Sequence, residues 1–461
     1  MLQNTEDTIA AIATPPGRAG IGVVRISGPQ ALAAADLVFK ASIGIPPSQF
    51  PSHAIHFGRF ADNGVVIDEC LVSVMKAPHS YTGQDTVEFS LHGSPVILRQ
   101  ALACCIKAGA RQAGPGEFTF RAFYNGKLDL ARAEAVCDLI SSTTDAAAKA
   151  SVMVLEGALS VKITAWRDRL LSVLMLLETA IDHAGDDFEP ISQLELSKAC
   201  KELRNSLGEL LNSYSRGRHL RNGIRVVICG RPNTGKSSLM NALLQRDRAI
   251  VSDIPGTTRD IIEETLEISG LPVVIVDTAG LRGSCSDPVE TIGQGRARKA
   301  LEIADTVLWL IDGSTPADGD DKAIGELLQA AGLLSKTSIL INKADLPAAL
   351  EEGQLPPAAR ILHISCLNGL GLDAVERALG AIAEELASAP DLIFVNERHC
   401  DALRRADASL AETEAALSVK ATEDILAFHV REALDCLGEI TGDTADEEIL
   451  DRIFSNFCIG K

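Results

Sequence analysis

A single short motif constrains the fold of this chain more than any other feature. The segment Gly230-Arg-Pro-Asn-Thr-Gly-Lys-Ser237 follows an apolar run, 224–229, and precedes helix-forming residues. In the pattern G-x-x-x-x-G-K-S, the N–H groups of a glycine-rich turn and the positive end of the next helix surround a phosphate. Lys236 is then expected to reach the β- and γ-phosphates, and the Ser237 hydroxyl to bind Mg²⁺. The alternative is an ordinary glycine-rich turn between a strand and a helix.

A second apolar run, 273–276, leads into Asp277-Thr-Ala-Gly280. An aspartate at the end of a buried strand is placed to hold Mg²⁺ through water, and the N–H of Gly280 to sense a γ-phosphate. This element favours the phosphate-binding interpretation of the first motif.

Two further strand-like runs end in residues suited to a guanine base. The run 338–341 leads into Asn342-Lys-Ala-Asp345, and the run 361–364 leads into Ser365-Cys-Leu367. A carboxylate at Asp345 accepts from two donors of guanine, an arrangement that adenine does not offer. Asn342 and Lys343 would brace the loop and cover the base, and N–H groups at 365–367 would meet guanine O6. The four elements in this order predict a Ras-like GTP-binding domain.

The residues that would drive hydrolysis are less clear from the motifs. Leu281 follows Gly280, where many small GTPases carry a glutamine that orients water, so another group must do this work. The charged candidates on the segment after Gly280 are Arg282, Asp287, Glu290 and Arg296, each of which could instead be a solvated loop residue. The segment 256–260 is the expected first switch, with Thr258 completing the Mg²⁺ shell.

Length, charge and cysteine usage set wider limits. A chain of 461 residues is expected to form two to four domains. A net charge of −19 argues against bulk electrostatic binding of nucleic acid. The sequence shows no signal peptide and no apolar run of 18 residues, which predicts a cytoplasmic protein without a membrane segment. The 11 cysteines include no C-x-x-C pair, so we expect reduced thiols.

The remaining sequence predicts a multidomain chain. Residues 1–125 should form an α+β domain, with strands at 22–26, 54–57, 71–75 and 86–89, a helix at 95–107 and loops at 114–118 and 125–127. Helical patterns occupy 128–140, 146–181 and 205–214, followed by an expected hinge at 215–219, and they resume at 396–438 and 444–453. We therefore expect a Ras-like domain (220–385) inserted into one all-α domain built from 126–219 and 386–461. Two separate helical pieces are the alternative.

The whole chain resembles the MnmE (TrmE) family of tRNA-modification GTPases. The similarity rests on the opening stretch Asp7–Gly28, on Pro115–Phe123 with Lys127-Leu-Asp-Leu130, and on the nucleotide motifs described above, including Gly256-Thr-Thr-Arg-Asp260. The ending Phe457-Cys-Ile-Gly-Lys461 is more specific to this family than the phosphate-loop motif is, because several families of GTPases share that motif.

This resemblance implies a set of residues around GTP. The family uses Mg²⁺ and a K⁺ ion, and its K⁺ site forms when two GTPase domains of a homodimer meet. Carried over, the K⁺ ligands are Asn233, Ser252, Ile254 and Thr257, and the acid that positions water is Glu290, with Asp287 as a weaker candidate. Cys366 stands where the family commonly has alanine. The nucleotide-contacting residues would be Asn233, Thr234, Gly235, Lys236, Ser237, Ser238, Ser252, Asp253, Ile254, Pro255, Gly256, Thr257, Thr258, Asp277, Thr278, Ala279, Gly280, Asn342, Lys343, Ala344, Asp345, Ser365, Cys366 and Leu367.

The resemblance also implies one-carbon chemistry. The amino-terminal domain of the family dimerises and binds a tetrahydrofolate derivative, in the 5,10-methylene or 5-formyl form, and the matching residues here are Arg25, Glu88, Lys127 and Lys461. Cys458 would then serve modification rather than hydrolysis, although an isolated cysteine is usually inert. An FAD-binding flavoprotein partner, MnmG (GidA), would join in a heterotetramer or larger complex. Together they would add a carboxymethylaminomethyl-type group at C5 of the wobble uridine of certain tRNAs.

A regulatory or ribosome-assembly GTPase is the competing class, because it would share every nucleotide motif. The amino-terminal constellation and Cys458-Ile-Gly-Lys461 distinguish the two, since a pure switch needs neither.

Overall fold

The computed structural model gives the architecture of most of the chain. It describes residues 5–182, 193–246, 263–268, 271–277, 300–301, 304–351, 353, 355–358, 360–387, 393 and 395–461. Backbone contacts divide the chain into two compact units. The first unit contains Met1–Cys137, Met153–Leu207 and Glu397–Lys461, and the second contains Asp138–Val152 and Gly208–Asn396. None of the helices in these described ranges is both long and apolar enough to cross a membrane.

The strands form two sheets. They are β1 (Ile9–Ile12), β2 (Ala19–Ser27), β3 (Phe39–Ala41), β4 (Ala54–Asp62), β5 (Val65–Met75), β6 (Thr86–Gly93), β7 (Arg111–Gln112), β8 (Ile224–Cys229), β9 (Glu263–Ile268), β10 (Leu271–Asp277), β11 (Thr306–Asp312), β12 (Thr337–Asn342) and β13 (Arg360–His363). The first sheet has the order β3-β4-β5-β6-β2-β1-β7 and the second β13-β12-β11-β8-β10-β9.

Helices belong to both units. They are α1 (Ala31–Val38), α2 (Pro95–Lys107), α3 (Glu117–Tyr124), α4 (Leu130–Ser141), α5 (Asp145–Leu155), α6 (Ala158–Asp182), α7 (Gln193–Asn222), α8 (Lys236–Arg246), α9 (Gly319–Ala330), α10 (Leu372–Ala387), α11 (Glu397–Ser418), α12 (Glu423–Thr441) and α13 (Glu447–Ser455). Short 3₁₀ turns lie at Pro47–Gln49 and Leu334–Lys336.

The first sheet presents one face to a core and leaves the other partly open. Successive side chains of a strand point to opposite faces. Val24 and Ile26 on β2 are therefore buried under α1 and α2, while Arg25 between them is only partly covered. Arg25 lies directly opposite Glu88 on β6. The four predicted strands are confirmed, but β1, β3 and β7 were missed. β1 lacks the alternating pattern because three of its four residues are fully buried.

Three local expectations were wrong. The predicted loop at 114–118 ends earlier, because Gly116 has a φ of +64° and α3 begins at Glu117. The helix expected at 146–181 is two helices, separated at Gly157, which has a φ of +98°. The hinge expected at 215–219 lies inside α7. One glycine in a helix costs only about 1 kcal/mol, and α7 instead ends before Gly223, which has a φ of +79° and donates its N–H to His219 O (2.9 Å).

The helical segments from both ends of the sequence pack together in the first unit, which confirms insertion over two separate pieces. Arg398 on α11 makes two hydrogen bonds to Glu134 on α4, from Nε to Oε1 (2.9 Å) and from Nη2 to Oε2 (2.7 Å). The ring Nε2 of His399 lies 2.7 Å from the same Oε2. Arg398 also donates to the carbonyls of Glu439 and Ile440 on α12. The contacts with Glu134 join residues more than 260 positions apart.

The second sheet is the scaffold of the nucleotide motifs. Its strands run parallel except β9, which pairs antiparallel with β10. β11, which the sequence patterns missed, is buried along its whole length and lies between β8 and β12. Parallel strands bring their carboxyl ends to one edge of the sheet. The segments after β8, β12 and β13 therefore meet at that edge, where β10 also ends.

Candidate functional site

The glycine-rich segment after β8 forms a tight turn that leads into α8 at Lys236. Gly230 has a φ of +150°, and a Cβ atom there would lie 2.4 Å from Leu310 O. Gly235 has a φ of +101°, and a Cβ atom there would lie 2.3 Å from Asn342 Nδ2. Only glycine fits these two positions. Asn233 also has a positive φ, of 65°. A turn of this kind aims backbone N–H groups at one point and so fits a phosphate group.

The loop holds its lysine and presents its hydroxyl groups. Lys236 Nζ donates to the carbonyl oxygens of Gly230 (3.0 Å) and Arg231 (2.7 Å). Ser237 and Ser238 are exposed in the first turn of α8, where an oxygen ligand for Mg²⁺ is expected in such loops. Thr234 is buried, and its hydroxyl donates to Arg231 O (3.0 Å).

Asn342 connects the phosphate loop with the segments expected to bind guanine. Its Nδ2 donates to Thr234 O (2.8 Å), and its Oδ1 accepts from the N–H of Cys366 (3.1 Å). Ser365 Oγ donates to Asp345 Oδ1 (2.5 Å). The side chain of Asn342 is buried, so these bonds carry little competition from water. The structure thus brings Thr234, Asn342, Asp345 and 365–366 together, as the order of motifs predicted.

Lys343 is held by a residue that the motifs did not identify. Its Nζ lies 2.5 Å from Asp312 Oδ2, at the end of β11. Burial acts to raise the pKa of Asp312, but hydrogen bonds from Lys343 and Ser314 outweigh it, and the pKa is lowered. Asp312 therefore stays ionised and fixes the lysine beside the expected base site. The apolar run Val307–Ile311, which directly precedes Asp312, could have indicated this strand from the sequence.

Of the remaining predicted nucleotide residues, the structure describes Asp277. Asp277 ends β10 and pairs with Ile228 of β8. The predicted positions that lie outside the described residues are Ser252, Asp253, Ile254, Pro255, Gly256, Thr257, Thr258, Thr278, Ala279, Gly280, Leu281, Arg282, Asp287, Glu290 and Arg296. Their roles stay predictions.

A second charged cluster lies on the open face of the first sheet. Arg25 Nε donates to Glu88 Oε1 (2.7 Å), with side chains 15% and 26% exposed. The Arg25 guanidinium also lies 5.9 Å from the ring centre of Tyr81 and 5.4 Å from that of Phe118. Aromatic faces attract a cation at this range. Sequence patterns missed both rings, because their placement beside Arg25 depends on the fold.

The carboxyl terminus of the chain docks beside this cluster. Arg25 Nη1 donates to Gly460 O (3.2 Å), and the N–H of Phe118 donates to Lys461 O (3.2 Å). Gly460 has a φ of +97°, and a Cβ atom there would lie 2.4 Å from Ile12 O. Burial and the charge of Arg25 lower the pKa of Lys461. Glycine at position 460 therefore allows the tail to approach Arg25.

The apolar residues of the tail anchor it. Phe454 and Phe457 are buried with Phe120 and Leu130, and the rings of Phe120 and Phe454 meet edge to face at 5.3 Å. Aromatic pairs of this kind add to the stability that burial provides.

The two other predicted residues of this region differ in their surroundings. Cys458 is exposed, whereas other thiols in the first unit are buried. Cys70 is an example, and burial raises its pKa to about 12. Lys127 donates to Pro78 O (3.1 Å). In the described part of the chain no hydrogen bond or ion pair joins it to Arg25 or Glu88.

Two family models match the chain. The model described as "GTP-binding protein TrmE N-terminus" matches residues 8–127, and the model described as "MnmE helical domain" matches residues 130–458.

Full-length relatives are similar over nearly every residue. Proteins named "tRNA modification GTPase MnmE" from Alkaliphilus oremlandii and Carboxydothermus hydrogenoformans are each 42% identical, over 463 and 464 residues. These matches cover 99% of this chain and 99% and 100% of the relatives. The protein of that name from Streptococcus mutans is 41% identical, with 100% of both chains covered. Among solved structures, Aquifex aeolicus Era bound to GDP·AlF4⁻ is 26% identical over 40% of this chain and 66% of that chain, with a TM-score of 0.27.

Proposed function

The chain belongs to the MnmE family of tRNA modification GTPases, and from this premise we propose how its two sites divide the work. It is a GTP-hydrolysing enzyme of tRNA modification. We propose that the second unit binds and hydrolyses GTP, while the cluster around Arg25 in the first unit binds a tetrahydrofolate one-carbon donor. The product would be a carboxymethylaminomethyl-type group at C5 of the wobble uridine of certain tRNAs.

One observation carries the GTP proposal. Asn342 bonds both Thr234 in the phosphate loop and Cys366 in the predicted base loop, at 2.8 and 3.1 Å. This single side chain therefore fixes the distance between the loop proposed to bind phosphate and the loop proposed to bind the base. Ser365 also donates to Asp345 Oδ1, and among the described residues no recorded bond engages Oδ2, which would face the base. A carboxylate there accepts from guanine and not from adenine.

The proposed metal ligands fit the chemistry of the loop. Ser237 would bind Mg²⁺ from the first turn of α8, with Thr258 completing the shell and Asp277 acting through water. The Asn233 side chain, exposed on the turn, would bind K⁺ with groups at Ser252, Ile254 and Thr257. Bound K⁺ would supply the positive charge that other GTPases take from an arginine finger.

Hydrolysis needs a group that orients water, and the side chain of Leu281 cannot hydrogen bond to water. We assign this role to Glu290, the position that the resemblance to the family gives for this acid, with Asp287 as the weaker candidate. The K⁺ site would be completed when two copies of the GTPase domain meet, so a homodimer is part of the proposal.

The one-carbon site draws on the charges around the tail. Glu88 would accept from the donors of a pterin ring, and Arg25, Lys127 and Lys461 would attract the carboxylates of the glutamate tail. Tyr81 beside Arg25 offers a face for the ring. Cys458, exposed two residues before Gly460, would act in modification, and its precise step is open.

The partner in this proposal is an FAD-binding flavoprotein of the MnmG (GidA) type, in a heterotetramer or larger complex in the cytoplasm. The net charge of −19 supports a division in which the partner makes much of the tRNA contact, since acidic surfaces repel phosphate.

The test is mass spectrometry of wobble-uridine nucleosides in tRNA from a strain that lacks this protein. Restoring the wild-type chain should return the C5 modification. Lys236→Ala should not, because the phosphate loop loses its cation. Lys336→Ala is the matched control: it removes a lysine of the second unit whose recorded contacts are through its backbone, and it should restore modification. If the wild-type chain leaves the nucleosides unchanged, a GTPase switch without one-carbon chemistry replaces this proposal.

A further inference from the structure

Arg231 is the second residue of the phosphate loop, where the G-x-x-x-x-G-K-S pattern accepts any residue. Its side chain is only 15% exposed. It donates to Asp318 Oδ2 and to Thr315 Oγ1, and its Nε lies 3.4 Å from Asp321 Oδ2. The acceptors belong to the segment after β11 and to the first turn of α9. A planar guanidinium can bond several acceptors at once, whereas a lysine ammonium is a point charge.

The acceptors are themselves fixed. Asp318 is the N-cap of α9, and its Oδ1 accepts from the N–H groups of Asp320 (3.0 Å) and Asp321 (3.1 Å). One carboxylate oxygen of Asp318 thus caps the helix and the other holds Arg231. Asp321 is 2% exposed. Burial raises its pKa, and the charge of Arg231 opposes the rise.

The backbone of Arg231 acts on the nucleotide side of the loop. Its carbonyl oxygen accepts from Lys236 Nζ (2.7 Å) and from Thr234 Oγ1 (3.0 Å). Thr234 O in turn accepts from Asn342 Nδ2. The side chain of Arg231 is therefore tied to α9, while its main chain holds the lysine and the threonine of the phosphate loop.

We propose that Arg231 is a positioning residue that preorganises the phosphate loop for the nucleotide. Thr315, Asp318 and Asp321 hold the side chain of Arg231. This fixes the position of the Arg231 carbonyl oxygen, which in turn holds Lys236. The proposal rests on the proposed binding of GTP by this loop. A loop that is already ordered loses less conformational freedom on binding, so the gain appears mainly in affinity for GTP and GDP.

The test measures binding and turnover separately in the full-length protein. The probes are fluorescent mant-GTP and mant-GDP, with Mg²⁺ present. Arg231→Ala should raise both dissociation constants about tenfold or more, while kcat at saturating GTP stays within about threefold. Arg231→Lys should recover part of the affinity, because it keeps the charge but not the fork.

Two variants at the start of α9 test the same contacts from the other side. Asp318→Ser keeps an N-cap oxygen but is too short to reach Arg231, and it should also raise the dissociation constants. Asp320→Ala removes a neighbouring acid whose side chain makes no recorded contact with Arg231 in the described residues, and it should change neither. The double variant Arg231→Ala, Asp318→Ser should bind mant-GTP no more weakly than Arg231→Ala alone, since both variants lose the same contact between Arg231 and Asp318.

Each outcome decides the question. If the wild-type chain does not bind mant-GTP, the proposed function fails. If it does, and Arg231→Ala binds within twofold of it, the positioning role is refuted. A fall in kcat as large as the rise in the dissociation constant refutes it too, because Arg231 would then act in the transition state. Should circular dichroism show that Arg231→Ala is unfolded, Asp318→Ser decides: unchanged affinity overturns the proposal.

Discussion

Glu134→Gln tests whether the buried ion-pair cluster that joins α4 to α11 stabilises the first unit. The carboxylate of Glu134 faces two bonds from Arg398 and the ring nitrogen of His399. Its side chain is 13% exposed. A glutamine keeps the shape but removes the charge that compensates these partners, and a buried charge left without its counterion costs stability.

The magnitude follows from the pKa. Burial alone would raise the pKa of Glu134, but His399 and Arg398 outweigh it and lower the pKa from 4.5 to about 2. Each pKa unit corresponds to about 1.4 kcal/mol, so the shift contributes about 3 to 4 kcal/mol to folding at neutral pH. Because the folded pKa is the lower one, this contribution is complete above pH 4.5 and is lost as the pH falls from 4.5 to about 2.

The assay is urea unfolding followed by Trp166 fluorescence. The chain has two tryptophans, and a Trp309→Phe background leaves Trp166 on α6 as a reporter of the first unit alone. This separation matters because a chain of two units need not unfold in one step. In this background Glu134→Gln should lower the free energy of unfolding by about 3 to 4 kcal/mol at pH 7. The difference in free energy of unfolding between this variant and the Trp309→Phe protein should become smaller below pH 4.5.

Glu202→Gln is the matched control. Glu202 pairs with Arg169, but the side chains are 45% and 47% exposed, and pairs exposed to this degree contribute little to stability because water screens them. If Glu134→Gln and Glu202→Gln cost the same, or if the cost of Glu134→Gln does not fall with pH, the reasoning is wrong.

Four further predictions concern the sites. Gly235→Ala should lower GTP affinity at least about tenfold in a mant-GTP titration, since its Cβ would lie 2.3 Å from Asn342 Nδ2; wild-type affinity would contradict the tight turn. GTPase activity should be higher in K⁺ than in Na⁺ at equal ionic strength, and equal rates would remove the K⁺ role of Asn233. Glu290→Ala should abolish turnover while mant-GTP affinity is kept, whereas normal turnover would place the water-orienting acid elsewhere. Cys458→Ser should keep GTPase activity and lose wobble-uridine modification by mass spectrometry; retained modification leaves that thiol without a role.

The nucleotide motifs were predictable because the chemistry they serve demands particular residues in a fixed order. A phosphate turn needs glycine at 230 and 235, where no Cβ fits, and the strands around it are short apolar runs with clear ends. The helix at 95–107 was predicted with its observed bounds, because Pro95 starts it and its apolar residues recur with helical spacing.

The sequence by itself predicted which residues should bind a nucleotide, and it determined that helical material flanks the nucleotide domain. Only the tertiary structure decided which individual atoms of distant residues bond to each other. Arg25 is opposite Glu88 and beside Gly460, 435 positions away; Arg231 is held by α9 and Lys343 by Asp312. The reason is physical: a turn or a helix depends on residues a few positions apart, whereas an ion pair depends on the register of strands and the packing of helices, which no local pattern encodes.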